Sequence, residues 1–334
     1  MWRNEMINQQ SQNERPVILV TGGAGYIGSQ LVRDMASDPR FSDYTIRIYD
    51  NLQRQHFCGL MDLPTGGRYE FIEGDILDRL NLGRAMRGAQ TVVHLAALVK
   101  TPLNFDHPEW TEQVNHWGTA SVVDCALSAN VPRLLYVSSA SVYGPGGPFR
   151  EADTRRPIGP YAISKLKGEE EAIRSPYTIV RLGTVFGNAP AMRFDGIANR
   201  LAYQAGVGRP MVIHGSGEQL RPLIHVRDAS AVLRLCLADS GTEGEIINAV
   251  VVNPSINRIA RTLQAIVPNA PVWYTDQDIL TEISFEVDSS KLIEMGFQPQ
   301  FSLTQGLEEM LERWHFNPAS SSGAAALGEL DDWV

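Results

Sequence analysis

Residues 16–28 read Pro-Val-Ile-Leu-Val-Thr-Gly-Gly-Ala-Gly-Tyr-Ile-Gly, an apolar run that breaks directly into a glycine cluster. An apolar run this short and unbroken reads as a strand buried on both faces, the interior of a parallel sheet. The cluster then opens a helix from about Ile27. Gly22 and Gly25 permit a tight turn and a close backbone approach to a pyrophosphate. Gly28 permits close helix-to-strand packing, and the helix N-terminus favours the negative charge. The spacing is G-x-x-G-x-x-G rather than G-x-G-x-x-G, yet strand, turn and helix in that order point to a dinucleotide site.

The alternation continues downstream. Strand-like segments at 45–50, 69–73, 91–95, 134–138 and 178–182 are separated by helical patterns, including 27–35, 80–86 and 111–129. That order predicts an α/β fold of Rossmann type, a doubly wound parallel sheet with helices on both faces and ligands at the strands' carboxyl ends. Asp50 ends the second strand, 22 positions after Gly28. A carboxylate there hydrogen-bonds ribose hydroxyls and repels a 2′-phosphate, which argues for NAD over NADP, although Asp50-Asn51 is also good turn chemistry. Asp75, in Gly74-Asp75-Ile76, ends the next strand and could approach an adenine.

After Gly187 the pattern breaks up, with frequent Pro, Gly and Arg, before helical patterns return at 228–238, 256–266, 289–295 and 303–316. The expected organisation is a dinucleotide-binding domain over 14–187, with 218–250 returning to it. A smaller, interleaved mixed α/β domain for substrate takes 188–217 and 251–316. Residues 1–13 and 317–334 are expected to be flexible tails, since they are too polar or too small-residue-rich to bury a core.

Bulk properties close off other classes. The 334-residue chain is 43% hydrophobic, enough for about two domains, and carries a net charge of −9 without a Lys/Arg block, so no nucleic-acid surface is expected. Cys58, Cys125 and Cys236 lie far apart without metal spacing and read as buried free thiols of a reducing cytoplasm. The N-terminal residues have no apolar signal core, and no apolar run reaches the roughly 18 residues of a membrane span. A cytoplasmic protein that binds no membrane and no metal is expected. His94 and His225 read as packed strand-end histidines.

Tyr161 and Lys165, in Tyr-Ala-Ile-Ser-Lys, fall four apart, so a helix places phenol and ammonium on one face. A nearby cation favours phenolate, which suits such a tyrosine to move an alcohol proton. The segment Lys100–Trp110 is a loop, covering a substrate or merely solvated. Arg193, Arg209 and Arg227 are candidate contacts for phosphate or carboxylate.

These motifs, with His94-Leu95-Ala96-Ala97, Asn115 with Gly118-Thr119, Ser138-Ser139-Ala140-Ser141-Val142-Tyr143-Gly144 and Arg221-Pro-Leu-Ile-His225-Val-Arg-Asp228, resemble the extended short-chain dehydrogenase/reductases. More narrowly, the chain from about Pro16 to Phe316 is similar to the NAD-dependent epimerase/dehydratase group acting on nucleotide sugars. The resemblance implies Tyr161, Lys165 and Ser139 as catalytic residues, with Lys165 also holding the nicotinamide ribose and lowering the tyrosine pKa. It implies NAD contacts by Gly22, Gly25, Tyr26, Ile27, Gly28, Asp50, Asn51, Asp75, Ile76, Leu95, Ala96, Ala97, Asn115, Ser138, Tyr161 and Lys165. Substrate contacts would come from Ser139, Ala140, Ser141, Tyr161, Thr184, Arg193 and Arg221, the last on the pyrophosphate of a nucleotide-diphosphate sugar.

Departures from the group's pattern narrow the activity. Sugar 4,6-dehydratases carry an Asp–Glu pair after the catalytic Thr, where this chain has Ala140 and Ser141; neither is a carboxyl acid or base. Thr184 stands where many relatives carry Asn. The implied activity is nucleotide-sugar epimerisation at the 4-position through a transient 4-keto sugar. A ketoreductase or dehydrogenase exchanging NAD(P)(H) with solvent is the alternative, and an idle NAD-binding sensor a further one. The group commonly forms homodimers through two long helices per subunit, here 111–129 and 161–174, although Val114, Val122 and Leu127 supply only a partial apolar stripe.

Overall fold

A computed structural model describes residues 15–99, 106–276 and 283–313. The first strand, β1 (Val17–Thr21), is buried at every position, which accounts for its unbroken apolar sequence. It lies inside a seven-stranded sheet with β2 (Thr45–Asp50), β3 (Tyr69–Glu73), β4 (Ala89–His94), β5 (Arg133–Ser139), β6 (Tyr177–Leu182) and β7 (Ile246–Ala249). The order is β7-β6-β5-β4-β1-β2-β3, and every pairing is parallel. The order reverses between β1 and β4, the crevice where open α/β sheets bind ligands.

Period-two alternation sends successive side chains of β1 to opposite faces. Ile18 and Val20 pack with Leu31, Val32 and Met35 of α1 (Tyr26–Ala36). Leu19 packs the other way, with Leu82 of α2 (Arg79–Ala85) and with Val122 and Val123. Helix α3 runs Pro108–Glu112, a π-helical stretch Gln113–Trp117, then Gly118–Ser128. It begins three residues before the expected Thr111, because Pro108 is tolerated in a helical first turn. Helix α4 (Pro160–Ala172) carries Tyr161 and Lys165.

Beyond the sheet the chain forms α5 (Ile197–Gly206), α6 (Val226–Ala238), α7 (Ile256–Ile266), α8 (Ser290–Glu294) and α9 (Leu303–Glu312). Helix α6 covers the α1 face of the sheet through Val232 and Leu233. Helices α5, α7 and α9 share a separate core built on Leu201, Ile259, Leu263, Leu307 and Met310. Three two-stranded parallel pairs join these layers: 184–186 with 223–225, 211–214 with 272–275, and 146–149 with 285–287. Cys125 and Cys236 are buried free thiols, but Cys58 is exposed, contrary to expectation, because it sits in the surface loop after β2. Among the described residues no helix is long and apolar enough to cross a membrane. The expected tails and the end of the 303–316 helix beyond residue 313 lie outside the described residues.

Candidate active site

A cleft of about 640 Å³ opens at the carboxyl ends of the sheet strands and is closed from above by residues of the second layer. Gly22, Gly25, Tyr26, Ile27, Gly28, Asp50, Asn51, Asp75 and Ile76 line one end, with Leu95, Ala96 and Ala97 beyond them. Ser138, Ser139, Ala140, Ser141, Tyr161 and Lys165 follow, and Thr184, Arg193 and Arg221 face them. One expected cofactor residue, Asn115, is not on this surface. Its Oδ1 accepts from Leu98 N at 2.7 Å, and its Nδ2 donates to Leu98 O at 2.9 Å and Ser164 Oγ at 3.1 Å. Its amide is spent on holding the strand-end loop to α4.

The glycine end fits a dinucleotide. Gly22 has a φ of +71°, and a Cβ on it would lie 2.6 Å from Ala96 N; one on Gly28 would lie 2.3 Å from Gly22 O. Gly25 caps α1 without a side-chain hydrogen bond, so the helix presents free N–H groups to the cleft. Asp50 secures the turn, accepting from Ala24 N at 3.0 Å through Oδ2 and from Leu52 N at 2.9 Å through Oδ1. The turn reading and the ligand reading of Asp50 are therefore compatible, since each oxygen keeps a free lone pair. Asn51 Nδ2 donates to Asp75 Oδ2 at 2.9 Å, and Tyr49 OH to Asp75 O at 2.8 Å, joining the ends of β2 and β3.

At the other end Ser139, the last residue of β5, has its hydroxyl 2.9 Å from that of Ser141 and stands near the Tyr161 phenol, whose pKa it lowers. Burial raises the phenol above its ordinary pKa, against the lowering effects of Ser139 and of the Arg193 charge. The expected lowering by Lys165 is thus not what prevails: desolvation wins, and Arg193 is the cation acting on the phenol. Lys165 donates instead to Val137 O at 2.6 Å, with its ammonium 4.4 Å from the Tyr136 ring centroid. Burial brings the Lys165 pKa down to about 7, opposed by the charge of Glu169.

Several further groups escaped the sequence reading. Glu169 takes Ser138 Oγ at 2.6 Å and a two-pronged Arg181 directly behind the strand that ends in Ser139. A charged residue inside the apolar run Thr178–Leu182 was the available signal. Arg54 and Arg200 also line the cleft, and Arg200 Nε is buried without a hydrogen-bond partner. Arg221, pushed down to about 10 by burial, donates to Leu220 O and Ile283 O and pairs with no carboxylate among the described residues. Arg209 and Arg227 are not on the cleft, and Arg227 pairs with Glu309. His94 is a packed histidine, bonded to Thr21 Oγ1 at 2.7 Å and Thr119 Oγ1 at 3.0 Å. His225 is packed between Phe186 and Phe301. Of the expected loop 100–110, residues 108–110 instead form the first turn of α3, where Trp110 lines the cleft, and residues 100–105 lie outside the described residues.

Comparison with known proteins gives concordant matches. The model of the NAD dependent epimerase/dehydratase family matches residues 18–249. A low-salt glycan biosynthesis protein of Haloferax volcanii, Agl12, is 28% identical over 88% of this chain and 97% of its own length. A dTDP-D-glucose 4,6-dehydratase of Mus musculus is 27% identical over 90% of this chain and 89% of its own. Among solved structures, the UDP-glucuronic acid 4-epimerase of Bacillus cereus, in complex with UDP-glucuronic acid and NAD, superposes with a TM-score of 0.81. It is 26% identical and the match covers 89% of this chain and 98% of that one.

Proposed function

The chain belongs to the NAD-dependent epimerase/dehydratase family, and from that membership we propose that it inverts the 4-position of a nucleotide-linked sugar through a transient 4-keto sugar. It is a NAD-dependent enzyme of the extended short-chain dehydrogenase/reductase class, related to nucleotide-sugar epimerases and dehydratases. The observation that carries the proposal is that Tyr161 and Ser139 line the same cleft, with Ser139 lowering the pKa of the phenol, beside Ala140 and Ser141. That site holds one proton-transfer group and one hydrogen-bond donor, but no second acid–base pair to expel water.

Bound NAD supplies the hydride acceptor and donor of the reaction. Tyr161, as phenolate, removes the proton of the sugar's 4-hydroxyl while Ser139 holds the same oxygen. Tyr161 then returns that proton when the ketone is reduced on its other face. Lys165, one turn along α4, is placed to hold the cofactor's ribose, while Arg193 is the cation acting on the phenol. Gly22, Gly25 and Gly28 receive the cofactor's pyrophosphate, and Asp50 takes its adenosine ribose. Arg221 and Arg200 meet the nucleotide's diphosphate. Ala140, Ser141 and Thr184 border the sugar.

The exposed faces of α3 and α4, with Trp117, Ile163 and Ile173 each at least 40% exposed, are proposed as the homodimer interface. The exposed thiol of Cys58 suits a cytoplasmic, reducing setting.

The test is turnover by NMR of UDP-, dTDP- and GDP-linked sugars with the purified protein, alongside absorbance of reduced nicotinamide. Appearance of the 4-epimer without net nicotinamide reduction supports the reading. Stoichiometric oxidation or reduction of nicotinamide overturns it in favour of a dehydrogenase or ketoreductase.

A further inference from the structure

The substrate half of the cleft is strongly cationic in a chain whose net charge is −9. The guanidiniums of Arg54, Arg193, Arg200 and Arg221 face it, against the single carboxylate of Asp195. The other acids on the cleft, Asp50 and Asp75, are bonded to Ala24, Leu52, Asn51 and Leu77. A nucleoside diphosphate brings about two negative charges. That leaves one cation more than the diphosphate needs, and Arg193 is the one nearest the chemistry.

Arg193 acts electrostatically on the Tyr161 phenol, and its Nη2 lies 3.4 Å from Val99 O in the loop after β4. Its counter-ion is Asp195, gripped by Nε at 2.8 Å and Nη2 at 2.6 Å. Both side chains remain about a quarter exposed, at 24% and 26%. An incoming carboxylate can therefore compete for the same bidentate face. Arg54, on the loop after β2, has no hydrogen bond or ion pair among the described residues. It feels the charges of both Arg193 and Asp195, so it is placed to take Asp195 when Arg193 turns to a ligand. Ser139, Ser141 and Thr184, also on the cleft, offer hydroxyls and no acid to repel an anion. In a hexuronic acid the carboxyl hangs from the ring carbon next to carbon 4, the carbon whose hydroxyl Tyr161 would serve.

We propose that the substrate is a nucleoside-diphosphate-linked hexuronic acid, its carboxylate bound by Arg193 in exchange for Asp195. This rests on the nucleotide-sugar reading above and specifies the sugar class within it.

The test is calorimetric binding to the NAD-loaded protein of matched pairs: UDP-glucuronate with UDP-glucose, UDP-galacturonate with UDP-galactose, and GDP-mannuronate with GDP-mannose. At least one uronate is expected to bind at least tenfold more tightly than its neutral partner. Arg193→Met should abolish that preference, Arg193→Lys should keep part of it, and Asp195→Asn should increase it. Equal or weaker binding of every uronate, no binding of any pair, or a preference untouched by Arg193→Met would overturn the proposal. Turnover is followed separately by NMR. Epimerisation of neutral sugars without uronate preference sinks the uronate proposal alone. Selective uronate binding with no epimer formed sinks the epimerase reading alone.

Discussion

The carboxylate of Glu169 accepts two hydrogen bonds from the guanidinium of Arg181, at 2.9 Å from Nε and 2.8 Å from Nη2, with both side chains at most 2% exposed. Ser138 donates to the same carboxylate, and Arg181 continues to Tyr143 OH at 2.8 Å, which donates in turn to Asn248 Oδ1 at 2.7 Å. One buried polar chain thus joins α4, β5, β6 and β7 immediately behind the candidate catalytic residues. Glu169 is one helical turn beyond Lys165, so the helix that carries the tyrosine and the lysine is pinned from behind. A buried network of this kind is specifying when every member is satisfied and costly when one is removed.

Replacing one partner should therefore hurt more than replacing both. Glu169→Gln leaves the Arg181 charge buried and uncompensated, and about 3–5 kcal/mol of stability should be lost. The double variant Glu169→Met with Arg181→Met should recover much of it. Urea denaturation of the three proteins is the measurement, and an unchanged midpoint for Glu169→Gln would show the pair to be energetically idle.

The strand and helix boundaries were legible because the sheet is parallel and covered on both faces. Val17–Val20 and Leu134–Val137 carry no charged residue and no hydroxyl but that of Tyr136, and the glycine turn fixes the first crossover. The glycine end and the Ser139–Tyr161–Lys165 group were legible because their residue types are dictated by local chemistry. Sequence could not give the relations that depend on long-range packing. Asn115 turns away from the cleft to hold Leu98, and Arg193 arrives beside Tyr161 from the other side of the fold. The sign of the Tyr161 shift was missed for the same reason: helical spacing puts Lys165 nearby, but only the packed structure reveals how strongly the phenol is desolvated.

Gly28 and Gly83 make a contrast within one fold. A Cβ at Gly28 would lie 2.3 Å from Gly22 O and 2.7 Å from Gly23 Cα, backbone that cannot yield, whereas nothing lies within 4 Å of one at Gly83 in α2. Gly28→Ala should distort the phosphate turn and weaken NAD binding at least tenfold, read by titration. Gly83→Ala should bind NAD normally and gain roughly 0.5–1 kcal/mol from reduced backbone freedom in the unfolded chain. Equal NAD affinity in the two variants would remove the glycine turn from the cofactor site.

Tyr161→Phe keeps the ring and deletes the proton-transfer group. Turnover on the preferred sugar nucleotide should fall by roughly 10²–10⁴-fold with KM little changed, and NAD should stay bound. Ser139→Ala should also lower kcat, because it removes a hydroxyl that lowers the phenol pKa. Near-normal kcat in Tyr161→Phe would exclude the tyrosine as the base.

Trp117 on α3, 57% exposed, and Ile173 at the C-terminal cap of α4, 52% exposed, leave apolar surface open beside each other's helices. Light scattering should give twice the chain mass at micromolar concentration. The double variant Trp117→Asp with Ile173→Asp should give one chain mass with the far-ultraviolet circular dichroism unchanged. A monomeric wild type would refute the interface.

His94 links folding to pH. Burial, with the charge of Lys165, holds its pKa down at about 3 against an ordinary 6.5, and His225, buried and near Arg227, is also held at about 3. A depressed folded-state pKa means that the unfolded chain binds more protons between the two values. The stability these neutral histidines confer is therefore complete above pH 6.5 and is lost as the pH falls from there toward 3. Each histidine should cost about 2 kcal/mol between pH 6.5 and 5, at ~1.4 kcal/mol per unit. His94→Gln can keep one of the threonine bonds but cannot be protonated, so it should be less stable than wild type at pH 7.5 and lose less stability on acidification. Urea midpoints at pH 7.5, 6.5 and 5 for both proteins measure this, and parallel pH dependences would show that His94 does not carry the acid sensitivity.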